Sequence, residues 1–161
     1  MAGLSEAAAV GRIDDVKTLL DRKAWTKRQI QSAFMWAGGF GRTHVVELLL
    51  ENGASARGQD GTGQTGLHTA ALAGHLETVK ALLRRKPPLE LRNVWGGAVL
   101  DHALWASIHQ DPTIDYTPIV EAVIQAGAEV HQEYLDWIRA EKLLLPASKP
   151  GIERLLYEAL R

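Results

Sequence analysis

The chain has 161 residues, of which 46% are hydrophobic and 23% charged, values usual for a folded domain and unlike those of disordered chains. Its 18 Lys and Arg nearly balance 19 Asp and Glu, so the net charge of −1 gives no overall attraction to nucleic acid or anionic lipid. The sequence has no cysteine, which excludes disulfide bonds and thiolate chemistry. Neither a nucleic-acid nor a membrane partner is expected.

The N-terminal segment MAGLSEAAAVGRIDD has too short an apolar run before Arg12 to predict an export signal. No stretch of the sequence approaches the ~18 apolar residues that a membrane-spanning helix needs. We therefore expect a cytoplasmic protein, and a monomer.

Two markers recur together along the chain. Gly11, Gly41 and Gly74 each end a segment rich in small residues, and each is followed by a segment that finishes in paired leucines. The spacing is 30 residues from Gly11 to Gly41 and 33 from Gly41 to Gly74, and the leucine pairs keep the same two intervals. Because independent markers share one register, the sequence predicts stacked repeats.

Each repeat is predicted to be two antiparallel helices. In the clearest unit, apolar residues fall at helical spacing in both segments, and Gly74 supplies the left-handed turn between them. Three threonines are predicted to cap helices: Thr26 with Gln29 in a capping box, Thr65, and Thr117 before Pro118. The apolar positions of the clearest unit are Leu67, Ala70 and Ala71 in the first helix and Leu76, Val79, Leu82 and Leu83 in the second.

The stretch from Asp60 to Leu83, DGTGQTGLHTAALAGHLETVKALL, resembles the ankyrin repeat, whose pattern contains Thr-Pro-Leu-His, Ala-Ala, Gly-His and a final Leu-Leu. The resemblance implies an all-α ankyrin-repeat solenoid of stacked antiparallel helix pairs with short hairpin tips, about four repeats plus a divergent C-terminal cap. The whole chain is then one domain. Its expected units are 1–26, 27–59, 60–92, 93–131 with an insertion at 107–117, and 132–161.

Several residue patterns could carry chemistry, but each has a simpler interpretation. His68 and His75 share a seven-residue spacing with His102 and His109, yet no four metal ligands cluster. In the resembling family the histidine that matches His68 is structural and bonds backbone between repeats, and the one that matches His75 begins the second helix. Asp111 and Asp115 could act as general acid and base across the insertion, although such residues more often solvate a loop. The basic run 84–86 fits the exposed end of a helix better than a nucleic-acid contact. We therefore expect no enzyme, no cofactor and no metal.

The aromatic residues offer the strongest functional signal, because tryptophan is enriched at protein interfaces. Trp36 is predicted to be buried beside the alanines of its helix. Phe40, Leu72 and Trp105 align with outward positions near the ends of first helices, and Trp95 falls on a hairpin tip. In the ankyrin family such positions line the concave binding surface. The predicted partner-binding residues are Phe40, Gln59, Thr62, Gln64, Leu72, Trp95 and Trp105.

These features favour a protein–protein interaction module that holds a partner protein on its concave face. The alternative is a regulatory or inhibitory subunit, antitoxin-like or effector-like, whose 107–117 insertion blocks a partner's site. The insertion is expected to be a loop outside the shared core, so deleting 110–114 should be tolerated.

Overall fold

The computed structural model describes residues 3–22, 24–144 and 150–161. In that part of the chain ten α-helices follow one another and pair in sequence. They are α1 (Leu4–Val10), α2 (Ile13–Arg22), α3 (Lys27–Gly39), α4 (Thr43–Glu51), α5 (Gly66–Leu72), α6 (Leu76–Leu83), α7 (Val99–His109), α8 (Thr117–Gln125), α9 (Gln132–Leu144) and α10 (Pro150–Ala159).

Glycine in the left-handed conformation joins the helices of the first three pairs, as predicted for Gly74. The φ angles of Gly11, Gly41 and Gly74 are 88°, 67° and 80°, values that side chains with a Cβ rarely adopt. At Gly41 an added Cβ would also lie 2.6 Å from the ring of His75. That ring instead reaches back to the preceding repeat, where its Nε2–H donates to the Gly39 carbonyl at 3.0 Å.

The helix pairs stack in two rows. The first helices α1, α3, α5 and α7 pack on one another in order, and the second helices α2, α4, α6, α8 and α10 form the other row. Alanine keeps the first row close, since Ala7, Ala37, Ala70 and Ala103 are all fully buried. The apolar side chains between the rows form one continuous cluster that runs from α1 to α10. The predicted stack of antiparallel helix pairs is confirmed.

Short hairpin tips project from the stack between repeats. Gln59 and Thr65 form an antiparallel bridge, and the amide of Asn93 donates to the Gly97 carbonyl at 3.1 Å. The neighbouring tips are also tied together, because the Val94 amide donates to the Thr62 carbonyl at 2.9 Å. These bonds hold the tips in fixed positions beside the first helices.

Two of the three predicted threonine caps are confirmed. Thr26 and Gln29 form the expected capping box, and the Thr65 hydroxyl accepts from the backbone amide of His68. The third prediction is wrong, because Thr117 is already the first helical residue of α8. Its amide donates to the Asp115 carboxylate at 3.0 Å, so an acidic side chain two residues earlier supplies the acceptor.

The insertion at 107–117 is not a detached loop. Helix α7 continues through His109, and residues 110–116 then fold back onto the stack. Tyr116 is only 1% exposed, its hydroxyl donates to the Leu72 carbonyl at 3.2 Å, and Ile114 packs against the core. The segment 110–114 therefore does not lie wholly outside the shared core, and its deletion is expected to cost stability because Ile114 packs against the buried cluster.

The closing helix pair continues only one of the two rows. Helix α10 packs on α8 and buries Ile152 and Leu156, which extends the row of second helices. Helix α9 packs on α10, but its backbone does not pack extensively on α7, as the row of first helices would require. The first row therefore ends at α7, and the space beside it stays open.

We expect Leu67→Ala and Leu82→Ala each to lower the free energy of unfolding by about 2 to 5 kcal/mol, because both side chains fill the core that adjacent repeats share. Val94→Ala, at a side chain that is 68% exposed, is the matched control and should change stability by less than about 0.5 kcal/mol. Urea denaturation followed by circular dichroism measures all three. Equal midpoints for the three variants would contradict the placement of the core.

Candidate functional site

A groove of about 820 Å³ lies where the row of first helices ends. Its walls come from the hairpin tip at residues 93–97, from α7 and from α9, with further contributions from the tip and first helix of the preceding repeat. We call it the C-terminal groove. Its lining residues are Gln64, Leu72, Asn93, Trp95, Gly96, Gly97, Asp101, His102, Leu104, Trp105, Glu133, Tyr134 and Trp137.

The 93–97 tip presents Trp95 at the edge of the groove. The Asn93 side chain is buried, and its Oδ1 accepts the backbone amides of both Trp95 and Gly97 at 3.0 Å. Arg92 donates from Nη1 to the Gly96 carbonyl at 2.7 Å. The turn is thus held by the buried Asn93 side chain and by the Arg92 side chain, while Trp95 remains 71% exposed. This arrangement fixes the backbone that carries Trp95 and leaves its large apolar ring exposed to water.

Two histidines anchor this tip to the core. The Nε2 atom of His102 accepts from the Asn93 side-chain amide at 3.1 Å, and its Nδ1–H donates to the Ala98 carbonyl at 2.9 Å. The His68 ring lies edge-on to His102, with centroids 5.0 Å apart, and its Nε2–H donates to the Leu91 carbonyl at 3.0 Å. His68 therefore has the predicted structural role of bonding backbone, although its bond to Leu91 lies within the unit 60–92 and not between repeats.

Helix α9 is tied to α7 by a tyrosine–aspartate contact. The Asp101 carboxylate accepts the Ala98 amide at 2.7 Å and lies 3.9 Å from Arg92 Nη1. The Tyr134 hydroxyl lies beside the same carboxylate. Burial and the neighbouring Asp101 charge both raise the pKa of Tyr134 well above its ordinary value.

Aromatic contacts form the opposite wall. The Trp105 and His109 rings have centroids 4.8 Å apart, and the centroids of His109 and Trp137 are 6.2 Å apart. Trp105 is 44% exposed, while Trp137 is partly buried against the core. The three rings bridge α7 and α9 in a region where the two backbones do not pack extensively.

The structure places four of the seven predicted site residues in the C-terminal groove and three outside it. Gln64, Leu72, Trp95 and Trp105 line the groove, while Phe40, Gln59 and Thr62 do not. The two polar residues are engaged in their own tip, since Gln59 Nε2 donates to the Gly63 carbonyl and the Thr62 hydroxyl donates to Asp60, both at 2.7 Å.

Sequence reasoning missed the contribution of α9. Glu133, Tyr134 and Trp137 line the groove, and none of them was among the predicted binding residues. The available signal was the helical spacing of Tyr134 and Trp137 in a segment that already contained apolar core positions. That spacing indicates a shared helix face, but it does not say which helix the face meets.

The prediction that Trp36 is buried is wrong. Its side chain is 52% exposed and stacks on Phe40 with centroids 5.9 Å apart. The buried positions of α3 are 33, 34, 37 and 38, and Trp36 lies on the outer side of that stripe. Counted from the turn glycines, it matches Thr69 and not an alanine. Trp36 and Phe40 therefore form a second exposed aromatic patch on the first-helix row.

The residues considered for acid–base or metal chemistry have local structural roles. Asp111 Oδ1 accepts from the amide and hydroxyl of Thr113 at 2.9 and 2.7 Å, and Asp115 accepts the Thr117 amide at 3.0 Å. Within the basic run, Arg84 pairs with Glu47 at 3.0 Å. Over residues 3–22, 24–144 and 150–161, no three acidic or histidine side chains come together in a group that could hold a metal ion.

No helix in the described part of the chain is both long and apolar enough to cross a bilayer.

The lowered pKa of His68, the buried histidine beneath the tip, makes the stability of the fold depend on pH. Burial, reinforced by His102, lowers the pKa of His68 from 6.5 to about 4. The unfolded chain therefore takes up this proton at higher pH than the folded chain. The contribution of His68 to the free energy of unfolding is complete above about pH 6.5 and is lost as the pH falls toward 4. This loss lowers the free energy of unfolding by as much as about 3 kcal/mol.

Urea denaturation of the parent chain and of His68→Gln at several pH values between 7 and 4 measures this effect. The variant should be less stable at pH 7 by about 1 to 3 kcal/mol, because backbone groups lose their partner, and its stability should fall less steeply as pH is lowered. His44→Gln, at an exposed histidine, is the control. A slope identical to that of the parent chain would show that His68 is not the titrating group.

Comparison with known proteins agrees with this architecture. A sequence profile described as ankyrin repeats (3 copies) matches residues 4–93 and 34–134. Human cyclin-dependent kinase inhibitor 2A is 35% identical over 108 residues, or 62% of this chain and 66% of that protein. Human cyclin-dependent kinase 4 inhibitor B is 35% identical over 109 residues, or 63% and 75%. Zebrafish inversin is 40% identical over 57 residues, or 34% and 6%.

The chain thus spans about two thirds of the first relative and three quarters of the second. The matched profile extends over most of the described helices, from α1 into α9. This chain belongs to the ankyrin repeat family and is a protein–protein interaction module.

Proposed function

We propose that the chain binds its partner protein in the C-terminal groove. The observation that carries this proposal is the convergence of Trp95, Trp105 and Trp137, from three separate elements, around one open space. Tryptophan combines a large apolar surface with an indole N–H and is enriched among the residues that dominate binding energy. Exposed aromatic surface of this kind loses contact with water when a partner covers it.

The rigidity of the groove supports the same proposal. Asn93 and Arg92 fix the tip that carries Trp95, and ring contacts between His109 and Trp137 connect α7 with α9. A surface that is already ordered has little conformational entropy to lose on binding. More of the contact energy is then available for affinity.

The other predicted residues extend this surface along the concave face, which is formed by the hairpin tips and the outward side of the first helices. We propose that Phe40, together with Trp36, forms a second contact for the same partner, and that Gln59 and Thr62 lie at the edge of it. The half-exposed Trp36–Phe40 stack supports this extension. Units 1–26, 27–59, 60–92, 93–131 and 132–161 remain the proposed repeat boundaries.

The chain acts in this proposal by binding, as a cytoplasmic monomer, and without catalysis. In support, the candidate acid and base, Asp111 and Asp115, hold local turns. The alternative, an inhibitory subunit whose insertion blocks a partner's site, is not favoured. Tyr116 and Ile114 of the insertion pack on the chain's own core, which leaves less of the loop to reach a partner.

The names of the relatives suggest one class of partner. Because two human relatives are inhibitors of cyclin-dependent kinases, we propose a kinase domain of that type as the first candidate. Calorimetric titration of purified cyclin-dependent kinase 4 with this chain should give saturable binding at a ratio of one to one. If no heat of binding is measured at micromolar concentrations, that kinase is excluded as the partner. The groove proposal is then tested by replacing the exposed tryptophans.

Replacing the exposed tryptophans tests the groove directly. Trp95→Ala and Trp105→Ala should each weaken partner capture by about thirtyfold, since an aromatic residue at the centre of an interface contributes at least about 2 kcal/mol. Tyr157→Ala is the matched control, because Tyr157 is a 50% exposed aromatic on α10 that does not line the groove. Capture from native lysate, quantified by mass spectrometry, compares all three with the parent chain.

Thermal melts of the same variants separate binding from folding. Trp95→Ala should melt close to the parent chain, because substitution of an exposed residue usually changes stability by less than about 0.5 kcal/mol. Trp105→Ala should keep its helix content but melt somewhat lower, because the Trp105 ring contacts His109, which contacts Trp137 of α9. A protein captured by the parent and by Tyr157→Ala, but lost with both tryptophan variants, is the expected partner. Equal capture by all variants would place the binding surface elsewhere.

A further inference from the structure

The C-terminal groove carries negative charge without a matching cation in its lining. Asp101 and Glu133 are its two acidic residues, and neither Lys nor Arg is among the lining residues. The remaining lining is largely aromatic or small. The charge at this site differs from that of the whole chain, in which acidic and basic residues nearly cancel.

The two carboxylates are not equally available. Asp101 already accepts the Ala98 amide, and it lies beside the Tyr134 hydroxyl and Arg92. Glu133 is exposed in the first turn of α9, and no cationic side chain of the described chain pairs with it. A positively charged group that enters the groove would therefore meet the Glu133 carboxylate without displacing an existing partner.

The aromatic walls favour the same kind of group. The face of an indole or phenol ring carries partial negative charge and attracts cations, with Trp the strongest of the aromatic side chains and Arg the more frequent cation. Trp95, Trp105, Trp137 and Tyr134 supply four such rings around the groove. Arg also has a long apolar stem and a weakly hydrated guanidinium, so it can pack on a ring while its charge reaches a carboxylate.

We propose that the C-terminal groove recognises an arginine of the partner protein, held between the tryptophan rings and the Glu133 carboxylate. The inference rests on the proposed function and specifies which chemistry this groove selects. At about 820 Å³ the groove has room for more than one side chain. Apolar residues that flank the arginine contact Leu72 and Trp105, which gives a short segment of arginine beside apolar residues as the recognised feature.

A phage-displayed library of random twelve-residue peptides, selected on the full folded chain, tests this specificity. The expected result is enrichment of arginine beside leucine or aromatic residues. The strongest peptide is then synthesised with arginine and with glutamine at the enriched position. By calorimetry, the change to glutamine should weaken binding by about tenfold, since it removes both the cation–ring attraction and the ion pair.

Glu133→Gln provides the matching change on the protein. This substitution should lower the affinity for the arginine peptide by roughly threefold at low salt. The effect of the peptide's glutamine should be smaller in this variant than in the parent chain, because the two substitutions remove the same contact. Glu121→Gln, which removes a negative charge on α8 outside the groove, is the charge-matched control and should leave affinity unchanged.

Trp105→Ala separates failure of this inference from failure of the proposed function. If Trp105→Ala abolishes peptide binding but the selected peptides lack arginine, or Glu133→Gln has no effect, the groove binds proteins and the arginine specificity is wrong. If no peptide is enriched, or the enriched peptides bind Trp105→Ala as tightly as the parent chain, the groove is not the binding surface and both proposals fail.

Discussion

A single pair of short helices cannot bury its apolar face alone, and the structure follows from how neighbouring pairs share that face. Alanines in the first helices allow close packing, and Leu67 and Leu82 fill the space between the rows. Polar contacts reinforce the same register. Arg42 Nε donates to the Ala9 carbonyl at 2.9 Å, and His75 makes the corresponding bond to Gly39 one repeat later. Each repeat is thus held by its neighbour.

The C-terminal groove arises where this sharing is incomplete. Helix α10 continues its row on α8, whereas α9 meets α7 mainly through side chains, so the face of α7 that a further first helix would cover remains open. The polar side chains beneath the C-terminal groove position one of its walls. His68, His102 and Asn93 connect the core to the tip that carries Trp95. The free-energy cost of burying these polar side chains is offset by their hydrogen bonds, and the same bonds position the tip that carries Trp95.

The repeated part of the fold was accessible from sequence because its determinants are local and periodic. Gly41 and Gly74 mark turns, and the leucine pairs mark buried faces, so both can be aligned by counting. The cap has no such period, and the position of Tyr134 and Trp137 depends on how α9 packs. The prediction for Trp36 failed because it aligned this residue with an inward position beside the alanines, whereas counting from the turn glycines aligns it with Thr69, and the side chain is 52% exposed.

The central account is that a partner binds at the C-terminal groove and that the groove exists before binding. Nitrogen–proton NMR spectra resolve the indole N–H groups of the five tryptophans. The spectra are recorded with and without a saturating concentration of the selected peptide. The account predicts shifts at Trp95, Trp105 and Trp137 and an unchanged signal at Trp25, whose indole donates to the Leu19 carbonyl at 2.8 Å away from the groove. Shifts confined to Trp25 and Trp36 would contradict it.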